Sequence, residues 1–338
     1  MLSFLAKRLF FGVFVLFGLS IVVFLLVRLV PGDPARVALG PMATPDQIAQ
    51  LRDRLHLDDP LPVQYYHFLT GALHGDFGES LLTKRMVSTD LREFLPATVE
   101  LVTFAGVIMI SVGVTLGVVA ARYRNQLADH TIRLIALLGV MTPSFVWAIM
   151  LMLIFGFALG WLPIAGRLHD PLTAPARITG FFTVDALLRG DPGKFLEALR
   201  HLLLPGVALA LAGLSQAARL TRASMLDTYR QPYIEMMRAF GVSEFRIATR
   251  YAFRPAFIPA LTILGLDLAA LFGFAFLVEI VFIWPGIARY GVQAMLQNDL
   301  NAVTAVVMII GLLFVVVNII VDVLAAYLNP RVRLAESR

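Results

Sequence analysis

The chain has 338 residues, of which 59% are hydrophobic and 15% are charged. With a mean hydropathy of +0.80, this composition excludes an ordinary soluble domain, where about a quarter of residues are charged, and indicates a polytopic membrane protein. The net charge of +5 is spread over the ends of apolar runs and not gathered on one polar domain, which argues against nucleic-acid binding.

Six apolar runs approach or exceed the roughly 20 residues that cross a bilayer core, so the sequence predicts six membrane spans. Lys7 and Arg8 precede the first run as they would precede a signal sequence, but no small-x-small cleavage site follows before Pro31. We therefore interpret it as a retained first span. The runs cover residues 9–27, 101–121, 134 to about 159, 202–218, 255–282 and 300–321.

Basic residues determine the orientation of the spans. The short loops assigned to one side hold few acids and many Lys and Arg residues. Seven of these are the arginines from Arg219 to Arg254. The loops on the other side are longer and richer in acids, so the positive-inside rule places the first set in the cytoplasm. The predicted fold is an all-α membrane protein with six transmembrane helices and with both termini cytoplasmic.

The first outer segment, residues 31–97, is long enough to fold on the membrane surface. Thr44 is suited to cap a helix with Pro45 at its first position, and residues 61–73 form a second amphipathic stretch before a turn at residues 75–78. We interpret this segment as a scaffold that shapes the outer face of the protein. A second outer segment, residues 166–200, is rich in Pro and Gly. Two interpretations of this segment remain open, a contact with a partner and a passive surface loop.

Features inside the spans predict packing and a kink. Gly113 and Gly117 in the second span, and Gly265, Ala269 and Gly273 in the fifth, recur at four-residue spacing, which lets helices approach closely. Pro143 inside the third span frees a carbonyl group and permits a kink.

Acids inside the spans are candidates for function. Asp267 lies about a dozen residues into the fifth span, where a carboxylate costs on the order of 3 kcal/mol on insertion scales. Asp267 is therefore expected to face protein or water. Lining of a translocation path and a buried hydrogen bond to a neighbouring helix both remain open for it. A path role is considered also for Glu279, nearer the outer end. Asp322 near the inner end of the sixth span is expected to pair with a basic loop residue.

The loop between the fourth and fifth spans is basic and amphipathic. Pro232 presets a new helical start, and Gly241 suits a left-handed C-terminal cap while Ser243 suits the cap of the next helix. The sequence thus predicts a short helix at about residues 233–240, which needs a partner surface because it is too short to be stable alone. Its apolar residues Ile234, Met236, Met237 and Phe240 are suited to filling a groove.

This loop resembles the EAA loop of ABC importer permeases, with Glu235, Ala239, Gly241 and Ser243 at the matching positions and methionines at 236 and 237 in place of alanines. Further stretches resemble the dipeptide and oligopeptide permease family: 31–34, 61–65, 75–80, 218–225, 278–286 and 329–333. The chain is similar to the first permease subunit of that family. The resemblance assigns docking on an ATPase to Tyr233, Ile234, Glu235, Met236, Met237, Arg238, Ala239, Phe240, Gly241 and Ser243.

The resemblance also implies the organisation and partners of the chain. Residues 1–30 would hold the first span, 31–97 the outer segment, 98–330 the permease core with the insert 166–200 and the coupling loop 223–256, and 331–338 a cytoplasmic tail. The implied setting is the bacterial inner membrane. The implied partners are a second, similar permease subunit, two cytoplasmic ATPase subunits or domains and an extracytoplasmic binding protein, with no cofactor or metal.

Catalytic alternatives find no support in the sequence. It has no H-E-x-x-H zinc motif, no G-x-S-x-G elbow and no P-loop, and with no cysteine it lacks thiolate chemistry. We therefore expect a transport subunit and not an enzyme. The alternatives left open are a glutathione or nickel importer of the same family, an ion-coupled secondary transporter that would use Asp267, and a non-transporting membrane scaffold.

Overall fold

The computed structural model describes residues 2–29, 43–54, 57–170 and 173–328. These ranges are helical, and in them β structure is limited to a bridge between Glu79 and Met86. We number the helices in chain order. They are α1 (Leu2–Leu29), α2 (Pro45–Arg54), α3 (Leu61–Leu73), α4 (Val87–Arg122), α5 (Leu127–Met141), α6 (Ser144–Ala158), α7 (Phe182–Leu188), α8 (Pro192–Tyr229), α9 (Pro232–Ala239), α10 (Glu244–Val281), α11 (Ile287–Leu296) and α12 (Leu300–Leu328).

The predicted spans are confirmed with one difference. In the described ranges, five single helices are long and apolar enough to cross a membrane, namely α1, α4, α8, α10 and α12. The bent pair α5 and α6, taken together, brings the number to six and is the third span in chain order. The third span is not one kinked helix, because the chain bends by 109° between α5 and α6, at Thr142 and Pro143. Pro143 lacks an N–H group, and Thr142 before it takes the extended conformation that proline favours at that position, which separates the two helices.

The core of the bundle is the long contact between α4 and α8. A Cβ atom added at Gly113 would lie 2.6 Å from Ala217 Cβ, and one at Gly117 would lie 2.6 Å from Thr221 Cβ. The predicted role of these glycines in close packing is therefore confirmed. In the fifth span the same holds for Gly265, which faces Val321 of α12, whereas nothing described lies within 4 Å of a Cβ atom at Gly273.

The outer segment folds onto the ends of the spans. Thr44 forms the expected cap of α2, because its hydroxyl group accepts from the Gln47 N–H group at 3.3 Å. The structure adds a reciprocal bond, in which the Gln47 side chain accepts from the Thr44 N–H group at 3.0 Å. α3 packs against α1, where Ser20 Oγ lies 2.7 Å from Tyr65 Oη. The motif at residues 31–34 lies outside the described residues, as does the motif at 329–333.

A buried carboxylate ties this outer segment to the last span. Asp299, fully buried before α12, accepts hydrogen bonds from Ser80 Oγ at 2.5 Å and from the backbone N–H of Leu82 at 3.1 Å. Near the inner end of α12, Asp322 pairs with Arg8 at 3.1 Å. The partner is basic, as expected, but it lies in helix α1 and not in a loop. The first and last spans are thus fixed to each other.

Candidate functional site

The short helix α9 lies in the loop between the fourth and fifth spans, as predicted. Pro232 occupies its first turn, and Gly241 just after it has φ +74°, the left-handed conformation that glycine adopts at low cost. The N–H groups of Gly241 and Val242 donate to the carbonyls of Arg238 and Met237 at 2.9 and 3.0 Å. Proline and glycine therefore set the two ends of α9.

One side of α9 is anchored in its own subunit. Ile234 is 0% exposed and packs in a cluster with Met225 of α8 and Ile247 of α10. Met237 is half-buried against the same cluster. The prediction that all four apolar side chains of α9 are free to fill a groove is thus wrong for Ile234 and only partly right for Met237.

The opposite side of α9 is free in the described structure. Met236 is 55% exposed and Phe240 is 79% exposed, and Phe245 after the turn is 64% exposed. Glu235 and Tyr233 lie on this open side. An apolar surface that is exposed to water in this way is typical of a docking site.

The turn after α9 is fixed by charge. Arg238 Nε lies 2.7 Å from Glu244 Oε1, and this hydrogen bond raises the pKa of Arg238. Ser243 precedes the first turn of α10, but among the described contacts its side chain makes no cap there, so that expectation is wrong. The ion pair and the glycine cap hold the turn instead.

The anchor cluster connects α9 to three spans at once. Besides Met225 of α8, the cluster contains Ala121 at the end of α4 and Ala252 and Ala256 in α10. The segment Ile247–Ala252 is a π-helical turn, a local widening that often occurs at functional sites. A displacement of α9 would therefore act on α4, α8 and α10 through packed side chains.

A second contact near this site was missed by sequence reasoning. Arg222 of α8 binds Asp129 in the first turn of α5 with N–O distances of 2.7 and 2.8 Å, and the backbone N–H of Asn125 also donates to Asp129. The available signal was a single acid in an otherwise basic inner loop. The pair couples the third span to the fourth.

Glu279 does not line a path in this structure. Its side chain is 0% exposed, and it accepts hydrogen bonds from Thr98 Oγ1 at 2.5 Å and from the backbone N–H of Arg289 at 2.8 Å. Because α11 begins at Ile287, Glu279 satisfies donors in the first turn of that helix. These hydrogen bonds fix α11 against α4, and the path role considered for Glu279 gains no support from the described contacts.

Asp267 lies in a different environment. It is half-buried and lines a cavity of about 390 Å³ beside the break between α5 and α6. Gln216 of α8 lines the same cavity. The structure thus separates the two acids that the sequence treated alike.

The second outer segment is anchored by a buried charge pair. Arg167 forms an ion pair with Glu100 of α4 and lies over the Phe182 ring, 3.5 Å from its centroid. Burial lowers the pKa of Arg167, against the opposing effect of Glu100. Thr183 donates to Glu100 through its backbone N–H and its hydroxyl group at 2.9 and 2.6 Å. The base of this segment is therefore part of the bundle.

Comparisons with known proteins agree over nearly the whole chain. Residues 113–334 match the family described as the inner membrane component of binding-protein-dependent transport systems, and residues 1–102 match the N-terminal region of such membrane components. The chain is 38% identical over 334 residues to a di/tripeptide transport system permease protein of Pseudomonas aeruginosa, covering 98% of this chain and 99% of that protein.

Two relatives from Escherichia coli strain K12 are similar over the same extent. One is a probable D,D-dipeptide transport system permease protein, 38% identical over 330 residues, with 98% of this chain and 97% of the relative covered. The other is a dipeptide transport system permease protein, 34% identical over 336 residues, with 98% and 99% covered. The similarity thus includes both outer segments and the loop that contains α9.

Proposed function

Because the chain belongs to the family of binding-protein-dependent transport system inner membrane components, we propose that it is the permease subunit of an ATP-driven importer of dipeptides and short peptides. Its relatives of matching length carry di- and tripeptide permease names. The multi-pass helical structure supports a location in the bacterial inner membrane. Glutathione and nickel, the other solutes considered, gain no support from the names of these relatives.

The proposed assembly has three kinds of protein partner. A second, similar permease subunit completes the translocation path, two cytoplasmic ATPase subunits or domains supply the energy, and an extracytoplasmic binding protein delivers the peptide. In this arrangement the chain itself hydrolyses nothing. Residues 98–330 form the permease core, and residues 166–200 with 31–97 form its outer surface.

The observation that carries the coupling proposal is the two-sided character of α9. Ile234 is fixed in a cluster with α4, α8 and α10, while Met236 and Phe240 point away from the subunit. The exposed side is suited to a groove on an ATPase, and the buried side to passing its movement on to the spans. ATPase closure would then turn an inward-facing path outward by rigid-body motion.

The proposal assigns separate roles around α9. Met236, Phe240 and Tyr233 provide the apolar docking surface, and Glu235 provides a charge beside it. Ile234 and Met237 provide the anchor. Arg238, Ala239, Gly241 and Ser243 form the turn that sets the direction of α10, with Gly241 in the one left-handed position of that turn.

The experiment compares two substitutions in the complex reconstituted with its ATPases and binding protein. Gly241→Asp strains the left-handed position, and Phe240→Ala shortens the exposed docking side chain. Both are expected to reduce peptide uptake per ATP hydrolysed by about tenfold or more, the range of lost interface anchors. Leu296→Ala, which shortens a 75% exposed leucine of α11, is the matched control and should leave coupling unchanged. Normal coupled uptake in both α9 variants would refute the proposal.

A further inference from the structure

The break in the third span opens a cavity between three helices. The cavity, of about 390 Å³, lies between the α5–α6 junction, α8 and α10. A volume of this order is typical of small-ligand sites. Its walls are largely apolar, and its polar groups are those of Thr142, Ser144, Gln216 and Asp267.

The Asp267 carboxylate is incompletely satisfied in this cavity. Its Oδ2 atom is buried and has no hydrogen-bond partner among the described residues, and the Gln216 side chain lines the same cavity. Of the described residues that line the cavity, Asp267 is the one that ionises. A buried acceptor without a donor is unfavourable, so the site favours a ligand that brings positive charge and N–H donors.

The surrounding groups favour an ammonium group over a metal ion. A primary ammonium group has three donors, and the cavity offers a carboxylate, an amide oxygen and the hydroxyl groups of Thr142 and Ser144. Calcium takes six to eight oxygen ligands, usually including several carboxylates, whereas this cavity provides one carboxylate. The rings of Phe145 and Phe274 add apolar surface for the rest of the ligand.

From these observations we propose that the cavity is a binding subsite for the primary ammonium group of the transported peptide, with Asp267 as its counter-ion and the Gln216 amide as a second polar group of the subsite. This inference rests on the proposed import of peptides. It names the group of the solute that the membrane-embedded part of this chain recognises. Selection at this point is separate from any selection made by the binding protein.

The test uses the absence of cysteine from the chain. Ala270 lies on the cavity wall and is replaced by cysteine (Ala270→Cys). In the assembled complex in detergent, this thiol is labelled with one of two methanethiosulfonate reagents, the cationic trimethylammonium-ethyl form or the neutral hydroxyethyl form. The ratio of the two rates reports the local charge, because a change in thiol reactivity affects both reagents. A carboxylate about 5 Å from the cationic reagent, in a medium with an effective dielectric constant of about 20, attracts that reagent and raises the ratio. Asp267→Asn is therefore expected to lower the ratio by at least about tenfold.

Two further arms address the ligand and the fold. Alanyl-alanine at millimolar concentration should slow labelling, whereas its N-acetyl form should not, and Asp267→Asn should abolish the difference. Asp267→Glu keeps the charge and should keep the ratio. If Asp267→Asn fails to assemble, Gln216→Leu takes its place and should weaken the protection by alanyl-alanine.

The outcomes separate this subsite from the proposed function. An unchanged rate ratio in Asp267→Asn, or equal protection by both peptides, overturns the ammonium subsite even if the complex imports peptides. Labelling needs no ATP, so a complex that shows ammonium-specific protection but no ATP-driven uptake retains the subsite and overturns the importer.

Discussion

Arg222 and Asp129 join the third and fourth spans at their inner ends through two hydrogen bonds of 2.7 and 2.8 Å. Asp129 is fully buried, whereas the Arg222 side chain keeps 18% of its surface exposed. Removing the arginine leaves a buried carboxylate without its main partner, while removing the acid leaves a cation that reaches water. The cost of breaking this pair is therefore expected to differ between its two sides.

This asymmetry predicts the order of stability among variants of the pair. Arg222→Ala is expected to destabilise the subunit by about 2–4 kcal/mol, somewhat below the range for a fully buried pair because Arg222 is partly exposed. Asp129→Ala should cost less, and the double variant should recover part of the loss. The measurement is the apparent Tm of the purified complex. Arg8→Ala, which breaks the more exposed pair with Asp322, is the control and should have a smaller effect.

Glu279 predicts a loss of assembly without a change in solute selectivity. Glu279→Ala removes the acceptor for Thr98 and for the N–H group of Arg289, leaving buried donors unsatisfied at about 1–3 kcal/mol each. The yield and apparent Tm of the complex should fall. Competition by free and N-acetylated peptides in the surviving complex should match that of the native protein. A change in this preference at native stability would restore Glu279 as a path residue.

The hydrogen bonds of Asp185 predict that the stability of the loop at residues 178–180, in the second outer segment, depends on pH. Its carboxylate accepts hydrogen bonds from the N–H groups of Ile178, Thr179 and Gly180 at 3.2, 2.8 and 2.9 Å. Burial acts to raise the pKa of Asp185, but these bonds outweigh it and hold the pKa below its ordinary value. The resulting stability is present above the ordinary carboxyl pKa of about 4 and is lost as the pH falls through the lowered pKa.

Hydrogen exchange of residues 178–180, corrected for intrinsic rates, measures this effect. The three amides should be protected at pH 7 and keep their protection down to about pH 4, and they should lose it as the pH falls further through the lowered pKa of Asp185. In Asp185→Asn their protection should already be reduced at pH 7 and vary little with pH. Asp191→Asn, which makes the same change of carboxylate to amide at the cap of α8, should leave the three amides unaffected. Equal protection in native protein and Asp185→Asn would contradict this role.

Features determined by neighbours in the sequence were predictable. The cap at Thr44, the left-handed Gly241 and the disturbance of the helix at Pro143 each depend on a few adjacent residues, although the sequence predicted a kink at Pro143 and not a complete break. Contacts between distant residues were not predictable in this way. The Thr98–Glu279 bond joins positions 181 apart, and the Arg222–Asp129 pair joins positions 93 apart.

The direction of Ile234 shows the same limit on a small scale. In a helix of eight residues, apolar side chains occur on more than one side, and the pattern alone does not tell which side faces its own subunit. The contacts of α8 and α10 decide this. The sequence could therefore locate the docking helix but not divide it into an anchor and a free surface.

That division predicts different effects on stability for two nearby substitutions that both reduce coupling. Ile234→Ala deletes a side chain from a packed cluster and is expected to destabilise the subunit by about 2–4 kcal/mol, lowering the apparent Tm of the complex and also its coupling. Met236→Ala shortens a side chain that is 55% exposed, so the stability of the isolated subunit should change by less than about 0.5 kcal/mol. Its peptide uptake per ATP hydrolysed, and the retention of the ATPases on purification, should nevertheless fall.

Ile234→Val serves as the mild control, since losing one methyl group in a core costs about 0.5–1.5 kcal/mol. Its coupling should remain close to that of the native protein if Ile234 acts as an anchor and not as a contact with the ATPase. Should Met236→Ala destabilise the subunit while ATPase retention stays normal, the free and anchored sides of α9 would have to be exchanged. The pair of measurements therefore tests the direction in which force enters the membrane spans.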